Sequence, residues 1–597
     1  MRLACCYFVA ATATIAAYYL PEVCGQKPYD VRLPEEHMGM FFHNSPEAAR
    51  SCREEPACPH KHFLNAKTCW GYEPGCSAQH RYSLAACPEG SAGWASNRQQ
   101  QEQLFFNQGD FGFIRERKKT LGILCRPHEP GASLLECVRH MELCRAKNIR
   151  LDFQRLLSMT GLVKYREDIL GPALVGGYCR LDKDSLHLEG DHKSPLQSWY
   201  AELEHFEEFT ELPSKESGCD VILGRPTVIM KLDATVNMYH HFCDFLNLYL
   251  TMHFNNSLAG DFDILIWDTK TWKPGRSSMT SVSDTSAVSQ VLLPYKGTFL
   301  PMWSAFHLGK LRSLSEFRGK KVCLQEALFA FLPRMIFGMY YNLPLVPGCH
   351  SSGVFKAFNR HVLHKLDVKV LPPEDYVRVT LLSRGTKHRR ILNEDELLAA
   401  ARKLPDASVQ RVHFNHATDF RHQIEVMANT DVLIGMHGAG LTHVLFQPDW
   451  AVLFEIYNCD DPVCYKDLAR LRGVKYLTWE NTTKLRPEDE MIRPHFLKAK
   501  CIVEVNKFAN NQDRRSTHEK HLAPWRQLRA SSMRGKGSQI TKLWHADLSR
   551  NALPPIATSK HGSHDVFPAS IASSTSPSSS RITTWMMALP YLTWLGC

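Results

Sequence analysis

Four short stretches of this chain carry side chains of the kind that bind anions, move protons or hold metals. Residues 381–397 (LLSRGTKHRRILNEDEL) bring Arg384, Lys387, Arg389 and Arg390 into one turn. A guanidinium presents a planar fork of donors that matches paired phosphate oxygens. A solvated basic turn is the plainer alternative. Residues 431–446 (DVLIGMHGAGLTHVLF) pass from an apolar run through His437, Gly438, Ala439 and Gly440 into a second apolar run. Small residues let a ligand approach the backbone, and the N–H groups that open a helix favour an anion such as a diphosphate. The spacing is not G-x-G-x-x-G, so no dinucleotide fingerprint is present. In the third stretch, NMYHHFCD (237–244), His241 and Asp244 are three residues apart and His240 and Asp244 four apart, neighbours on a helix. A His–carboxylate pair of that kind can take the proton of a hydroxyl; a hydrogen-bonded structural pair is the rival. The fourth is Asp261-Phe262-Asp263, a DxD that can hold a divalent ion but runs straight into an apolar segment. Glu455 closes a further apolar run, where a carboxylate can hold ribose hydroxyls.

These groups need elements to position them. Over 375–480 the pattern alternates strand and helix. Strands are expected at 377–382, 409–414, 431–436, 451–457 and 475–479. Helices are expected after Asn393, which with Glu396 forms a capping box, at 419–429, from 440, and at 465–473. Alternation of this kind implies right-handed crossovers and a parallel sheet, with ligands beyond the carboxyl ends of its strands. The basic turn and the HGAG turn both follow strands and so fall at one edge. Residues 151–370 suggest strands at 219–223, 227–232 and 261–268. They also suggest an amphipathic helix at 239–254 carrying Phe242, Phe245, Leu246, Tyr249 and Leu250. Residues 26–150 read as a Cys-rich capping subdomain.

The 597 residues are too many for one compact domain, and 44% hydrophobic with 22% charged is ordinary for a folded chain. The net charge of +10 is concentrated in 511–597, which holds eleven Lys and Arg against four Asp and Glu, so no whole-domain nucleic-acid footprint is present. Residues 1–25 have the basic start, apolar run and small residues of a cleaved secretory signal, and no transmembrane segment is expected after cleavage. Of the twenty cysteines, eight fall between Cys52 and Cys144, and their density without tight zinc spacing points to disulfides. Asn255 and Asn481 open glycan sequons. Residues 491–597 read as a divergent, largely disordered tail, with a low-complexity Ser-rich stretch at 569–582 and a short apolar end.

The motifs NMYHHFCDF, SRGTKHRRILNE, GMHGAGLTHVLF and DLARLRGVKYLTW resemble those of the EGF-domain-specific O-linked N-acetylglucosaminyltransferases, as do LPEEHMGMFFHN, KSPLQSWYAELEHF and CWGYEPGC. The similarity covers about residues 30–490 in the same order. Its HGAG and Arg motifs are shared with plant xylan arabinosyl- and xylosyltransferases and with the protein O-mannose glucosaminyltransferase. The resemblance implies an α/β, GT-B-like fold: two Rossmann-like doubly wound domains, 151–370 on the acceptor side and 371–490 on the nucleotide-sugar side, with a cleft between them. It implies an inverting transfer of GlcNAc from UDP-GlcNAc to Ser or Thr of folded EGF-like repeats, Notch among them, in the lumen of the endoplasmic reticulum. Carried over by residue, Arg384, Arg390, Asn393 and His437–Gly440 fall on the donor side, and His241 and Asp244 on the acceptor side. No cofactor is expected, and a divalent metal stays open.

Two departures stand out. An Asp-Tyr-Asp that vertebrate members carry after a Trp-Asn-Ala-Phe is replaced, after Trp303-Ser-Ala-Phe306, by His307-Leu308-Gly309-Lys310. The family pattern stops after Glu490 and the chain ends Trp594-Leu-Gly-Cys597 instead of in a retrieval signal, which implies leakage towards secretion. Two rival readings remain: a lumenal binding protein of the same fold that has lost turnover, and a transferase for another UDP-sugar.

Overall fold

The computed structural model describes residues 27–83, 85–88, 95–158, 163–190, 194–269, 298–340, 346, 348–386, 389–456, 464–479, 485–487 and 501–503. The expected signal, nearly all of the tail and the Asn481 sequon lie outside these residues. Among the described residues no helix is long and apolar enough to cross a membrane.

The chain opens with α1 (Glu35–Asn44), α2 (Pro46–Glu54), α3 (Arg98–Gly109) and α4 (Gly112–Lys119). Asn97 caps α3 by accepting from Gln100 N–H, satisfying one of the donors a helix start leaves over. This region packs through rings rather than through a large aliphatic core. Trp70 lies edge-on to His37, Tyr82 and His253 at 4.7–5.2 Å between centroids.

Eleven strands then share one mixed sheet: β1 (Gly122–Pro127), β2 (Leu134–Cys137), β3 (Cys144–Asp152), β4 (Val175–Gly177), β5 (Cys179–Leu181), β6 (Phe206–Glu208), β7 (Val221–Leu223), β8 (Thr227–Met230), β9 (Asp263–Ile266), β10 (Leu311–Ser313) and β11 (Lys321–Phe329). The main path runs β10-β9-β8-β11-β3-β2-β1-β5. The pairs from β10 to β11 are parallel; those from β11 to β5 are antiparallel. Two short helices, α5 (Lys183–Leu188) and α6 (Tyr200–Leu203), sit in connections, and α7 (Met238–Phe254) crosses between the parallel strands β8 and β9. This corrects the expectation of two alike doubly wound domains. Only part of the first sheet is parallel, because β1, β2 and β3 form an antiparallel meander, and a meander needs no crossover helix. The sequence boundary at 150 falls inside β3. Helix α7 also differs from an amphipathic surface helix: every residue from His241 to Phe254 is buried. Its polar residues are internal, with Asn247 donating to the Leu332 carbonyl at 2.9 Å and Thr251 donating to its own helix at 2.7 Å.

After α8 (Leu300–Trp303) and α9 (Gly353–Lys365), the second sheet is parallel throughout: β12 (Val377–Ser383), α10 (Glu394–Ala401), β13 (Ala407–His413), α11 (Phe420–Ala428), β14 (Val432–Met436), β15 (Val452–Ile456), α12 (Cys464–Arg472) and β16 (Lys475–Trp479). Its order is β13-β12-β14-β15-β16. The strand order reverses at β12 and β14, so the crevice between their carboxyl ends is the topological switch point, where an open α/β sheet binds ligands. One apolar cluster runs continuously from the N-terminal helices through α7 to Leu382, Leu433 and Val444. A smaller one, with Leu381, Ile391, Leu398, Met436 and Ile456, fills the far face of the second sheet. Apolar side chains on both faces are what a buried parallel sheet requires.

Six disulfides staple the described residues, as the cysteine density implied: Cys52–Cys58, Cys69–Cys76, Cys87–Cys349, Cys125–Cys179, Cys137–Cys144 and Cys219–Cys323. Glu73 lies beside Cys69 and Cys76, but both sulfurs are spent in their disulfide, and the carboxylate accepts from the Trp70 and Gly71 N–H groups at 2.9 and 2.8 Å.

Candidate functional site

The turns after β12 and β14 meet. Arg384 Nη1 donates to the His437 carbonyl at 3.0 Å. Gly438 makes this possible. Its φ is +146°, and a Cβ there would stand 1.9 Å from Arg384 Nη1. Burial, and secondarily the neighbouring Arg389 charge, hold the Arg384 guanidinium below its ordinary pKa. Among the described residues no carboxylate pairs with Arg384. On the same turn the Nε of Arg390 is buried without a hydrogen-bond partner among them. Half-buried positive charge with no balancing carboxylate among the described residues, at the switch point of a parallel sheet, can hold an anion.

His437 is buried, and its Nδ1 is hydrogen-bonded to Glu455 Oε1. Tyr476 donates to the other Glu455 oxygen at 2.6 Å. Glu455 was expected to reach ribose hydroxyls; it instead fixes the His437 ring, because a buried carboxylate takes the nearest donors. Ala439 to Phe446, including Gly440, form a 3-10 run rather than the α-helix expected from 440. The carbonyl of Gly440 accepts from His443 Nδ1 at 2.7 Å, which keeps the run tight. Asn393 stands at the N-cap position of α10 without a side-chain cap, correcting the capping box: its amide donates to Glu396 Oε2 at 3.1 Å instead. Lys387 lies outside the described residues.

His241 and Asp244, expected to face the acceptor, lie in the core. Both side chains have 0% exposure, with His241 Nδ1 2.9 Å from Asp244 Oδ2. The imidazole sits among Phe245, Phe299 and Trp303, and the carboxylate accepts the Asp233 backbone N–H at 3.1 and 3.2 Å. Burial raises the pKa of Asp244. Asp261 and Asp263 lie at the amino end of β9, away from its carboxyl edge. Arg225 pairs with Asp261 at 2.8 Å, and Arg312 with Asp263 at 2.9 Å, so each carboxylate of the DxD has a cation already. Asn255 is half-buried at the end of α7.

Sequence reasoning missed Asp233, Arg334, Tyr465 and Tyr476. Asp233 follows β8, and its carboxylate meets His240 Nδ1 at 3.0 Å and Arg334 Nη2 at 2.8 Å. Tyr465 of α12 touches the His437 ring, centroids 5.1 Å apart, and the Tyr239 ring at 5.7 Å. The only sequence signal for Asp233 was its place at the end of a predicted strand.

The sequence that builds this site matches known proteins. The Glycosyltransferase 61 family matches residues 238–454, from α7 to β15 and across both turns. The EGF domain-specific O-linked N-acetylglucosamine transferase of Xenopus laevis is 42% identical over 468 residues, 78% of this chain and 85% of the relative. That of Drosophila melanogaster is 42% identical over 468 residues, 77% of this chain and 85% of the relative. This chain belongs to the EGF domain-specific O-linked N-acetylglucosamine transferase family. The enzyme of Mus musculus, 42% identical over 476 residues and covered to 86%, agrees. Membership makes the chain a glycosyltransferase, and the matched region includes the two meeting turns.

Proposed function

We propose that this protein transfers GlcNAc from UDP-GlcNAc to a Ser or Thr hydroxyl of folded EGF-like domains. The observation that carries the reading is Arg384, held on the His437 carbonyl at the switch point with no carboxylate partner among the described residues. In this reading the diphosphate of the donor lies between the Arg384–Arg390 turn and the Gly438–Gly440 bend. As the sugar–phosphate bond breaks, negative charge grows on the β-phosphate. Arg384 and Arg390 stabilise it in place, which lowers the barrier because the charges are already positioned. Those arginines take the role a divalent ion plays elsewhere, so activity should persist in chelator. Glu455 and Tyr476 fix His437, and Tyr465 closes one wall.

The two sheets would form the two sides of a GT-B-type cleft, with the acceptor on the α7 side and inversion at the sugar carbon. The six disulfides suit an oxidising lumen such as that of the endoplasmic reticulum.

The test is incubation of the purified protein with UDP-GlcNAc and a folded EGF-like domain, read by mass. Gain of one N-acetylhexosamine supports the reading. No gain would favour the binding-protein rival, and preferential use of a competing UDP-sugar would reassign the donor.

A further inference from the structure

The buried His241–Asp244 pair leaves open which group activates the acceptor hydroxyl. A base must reach the proton it removes, and neither of those side chains has a surface. One layer outward, the side chain of His240 is 19% exposed on the first turn of α7. It lies where the carboxyl ends of β8 and β11 converge. Asp233 follows β8 and Arg334 follows β11, and both approach the His240 ring, at 3.0 and 3.1 Å from Nδ1.

The loop that carries Asp233 is fixed from behind. Asp244 accepts its backbone N–H. Lys164 Nζ donates to the Leu232 and Asp233 carbonyls at 2.6 and 2.7 Å, and the Tyr165 hydroxyl also donates to Leu232. Burial would raise the Asp233 pKa, but the hydrogen bond to His240 and the Arg334 charge outweigh it and keep the carboxyl below its usual range. Arg334 can only donate and its Nη2 lies closer to the Asp233 carboxylate, at 2.8 Å, than to the ring, so the same carboxylate accepts from His240 Nδ1–H and the lone pair lies on Nε2. The preceding residue, Tyr239, meets Tyr465 edge-on, and Tyr465 in turn meets the His437 ring edge-on. Tyr239, beside His240 on the first turn of α7, is thus two ring contacts from the donor turn.

We propose that His240, oriented by Asp233, is the general base of the transfer, and that Asp244 and His241 are positioning residues that hold the Asp233 loop; this rests on the transferase reading above. The acceptor O–H proton passes to His240 Nε2. The oxygen lone pair forms the new bond to the sugar C1, and the C1–O bond to the β-phosphate breaks with its electron pair leaving on UDP. The imidazolium, beside the Asp233 carboxylate, then releases its proton to water.

The experiment compares wild type, His240→Gln, His240→Ala and Asp233→Asn in transfer to a folded EGF-like domain. UDP-GlcNAc affinity is measured by calorimetry and folding by thermal unfolding. His240→Gln should lose about a hundredfold or more in kcat with donor affinity unchanged. His240→Ala should regain part of its rate in added imidazole, which a purely structural role would not allow. Asp233→Asn, which keeps the loop's shape, should also fall in kcat. An active wild type with a folded His240→Gln chain within a few-fold of it overturns the dyad alone. A wild type that binds donor but transfers nothing overturns the parent reading and the dyad together.

Discussion

At the scale of single residues, the anion site depends on a glycine and an arginine that share one space. Arg384→Ala should weaken UDP-GlcNAc binding by about 2 kcal/mol, roughly thirtyfold, since a hydrogen bond to a charged group contributes about 1.5–3 kcal/mol. Arg384→Lys should recover only part, because an ammonium cannot donate the paired hydrogen bonds of the fork. Titration calorimetry with UDP-GlcNAc checks both. Gly438→Ala is a sharper probe. The clashing atom is the end of a flexible side chain, so the guanidinium moves before the backbone does. We expect donor affinity close to that of Arg384→Ala, with a stability loss of only about 1–3 kcal/mol from the strained φ. A Gly438→Ala chain that binds donor like wild type would show that Arg384 does not need its place on the His437 carbonyl. The two turns were readable in the sequence because small residues and arginines directly after apolar runs are local signals. What filled the space around them was not. Glu455 looks alike whether it faces a ribose or a histidine, and only the fold says that His437 and Tyr476 reach it first.

At the scale of elements, the second sheet was legible almost to the residue. Expected strands at 431–436 and 475–479 became Val432–Met436 and Lys475–Trp479. Strong apolar runs bounded by Gly, Asn and Asp leave little choice there. The first sheet was harder. Many of its strands are only three or four residues long, and those that begin it carry cysteine, so they read as loops of a capping region. Helix α7 misled for another reason: His241, Asp244, Asn247 and Thr251 look like a wet face but find partners inside the core, His241 with Asp244, Asn247 on the Leu332 carbonyl and Thr251 on its own helix. The 3-10 run after β14 brings a pH dependence. His443, fully buried, has its pKa lowered to about 4 by desolvation. A histidine kept neutral in the fold adds stability above its ordinary value near 6.5, and this is lost as pH falls through about 4. Thermal unfolding of wild type should therefore fall more steeply from about pH 6.5 to pH 4 than that of His443→Gln, with up to about 3 kcal/mol at stake. Parallel curves would mean that this histidine does not titrate with unfolding.

At the scale of the whole molecule, one covalent tie spans most of the fold. Cys87–Cys349 closes a loop with a sequence separation of 262 residues, joining the ring-packed N-terminal region to the segment just before α9. Chain-entropy reasoning puts such a closure at about 5 kcal/mol, and removal of native disulfides commonly costs 2–5 kcal/mol. A Cys87→Ser/Cys349→Ser double variant should lose stability in that range by denaturant unfolding. A change below about 1 kcal/mol would place the strength of the docking in the aromatic cluster around Trp70 instead.

The same tie sets an order of events during synthesis. Cys52 with Cys58, Cys69 with Cys76, and Cys137 with Cys144 are six or seven residues apart and can join as soon as they emerge. Cys87 must stay a thiol until every strand of the first sheet has been made, exposed meanwhile to each cysteine that follows it. Maturation of this protein therefore passes through mispaired or waiting thiols, and an isomerase that returns Cys87 to a thiol should raise its yield.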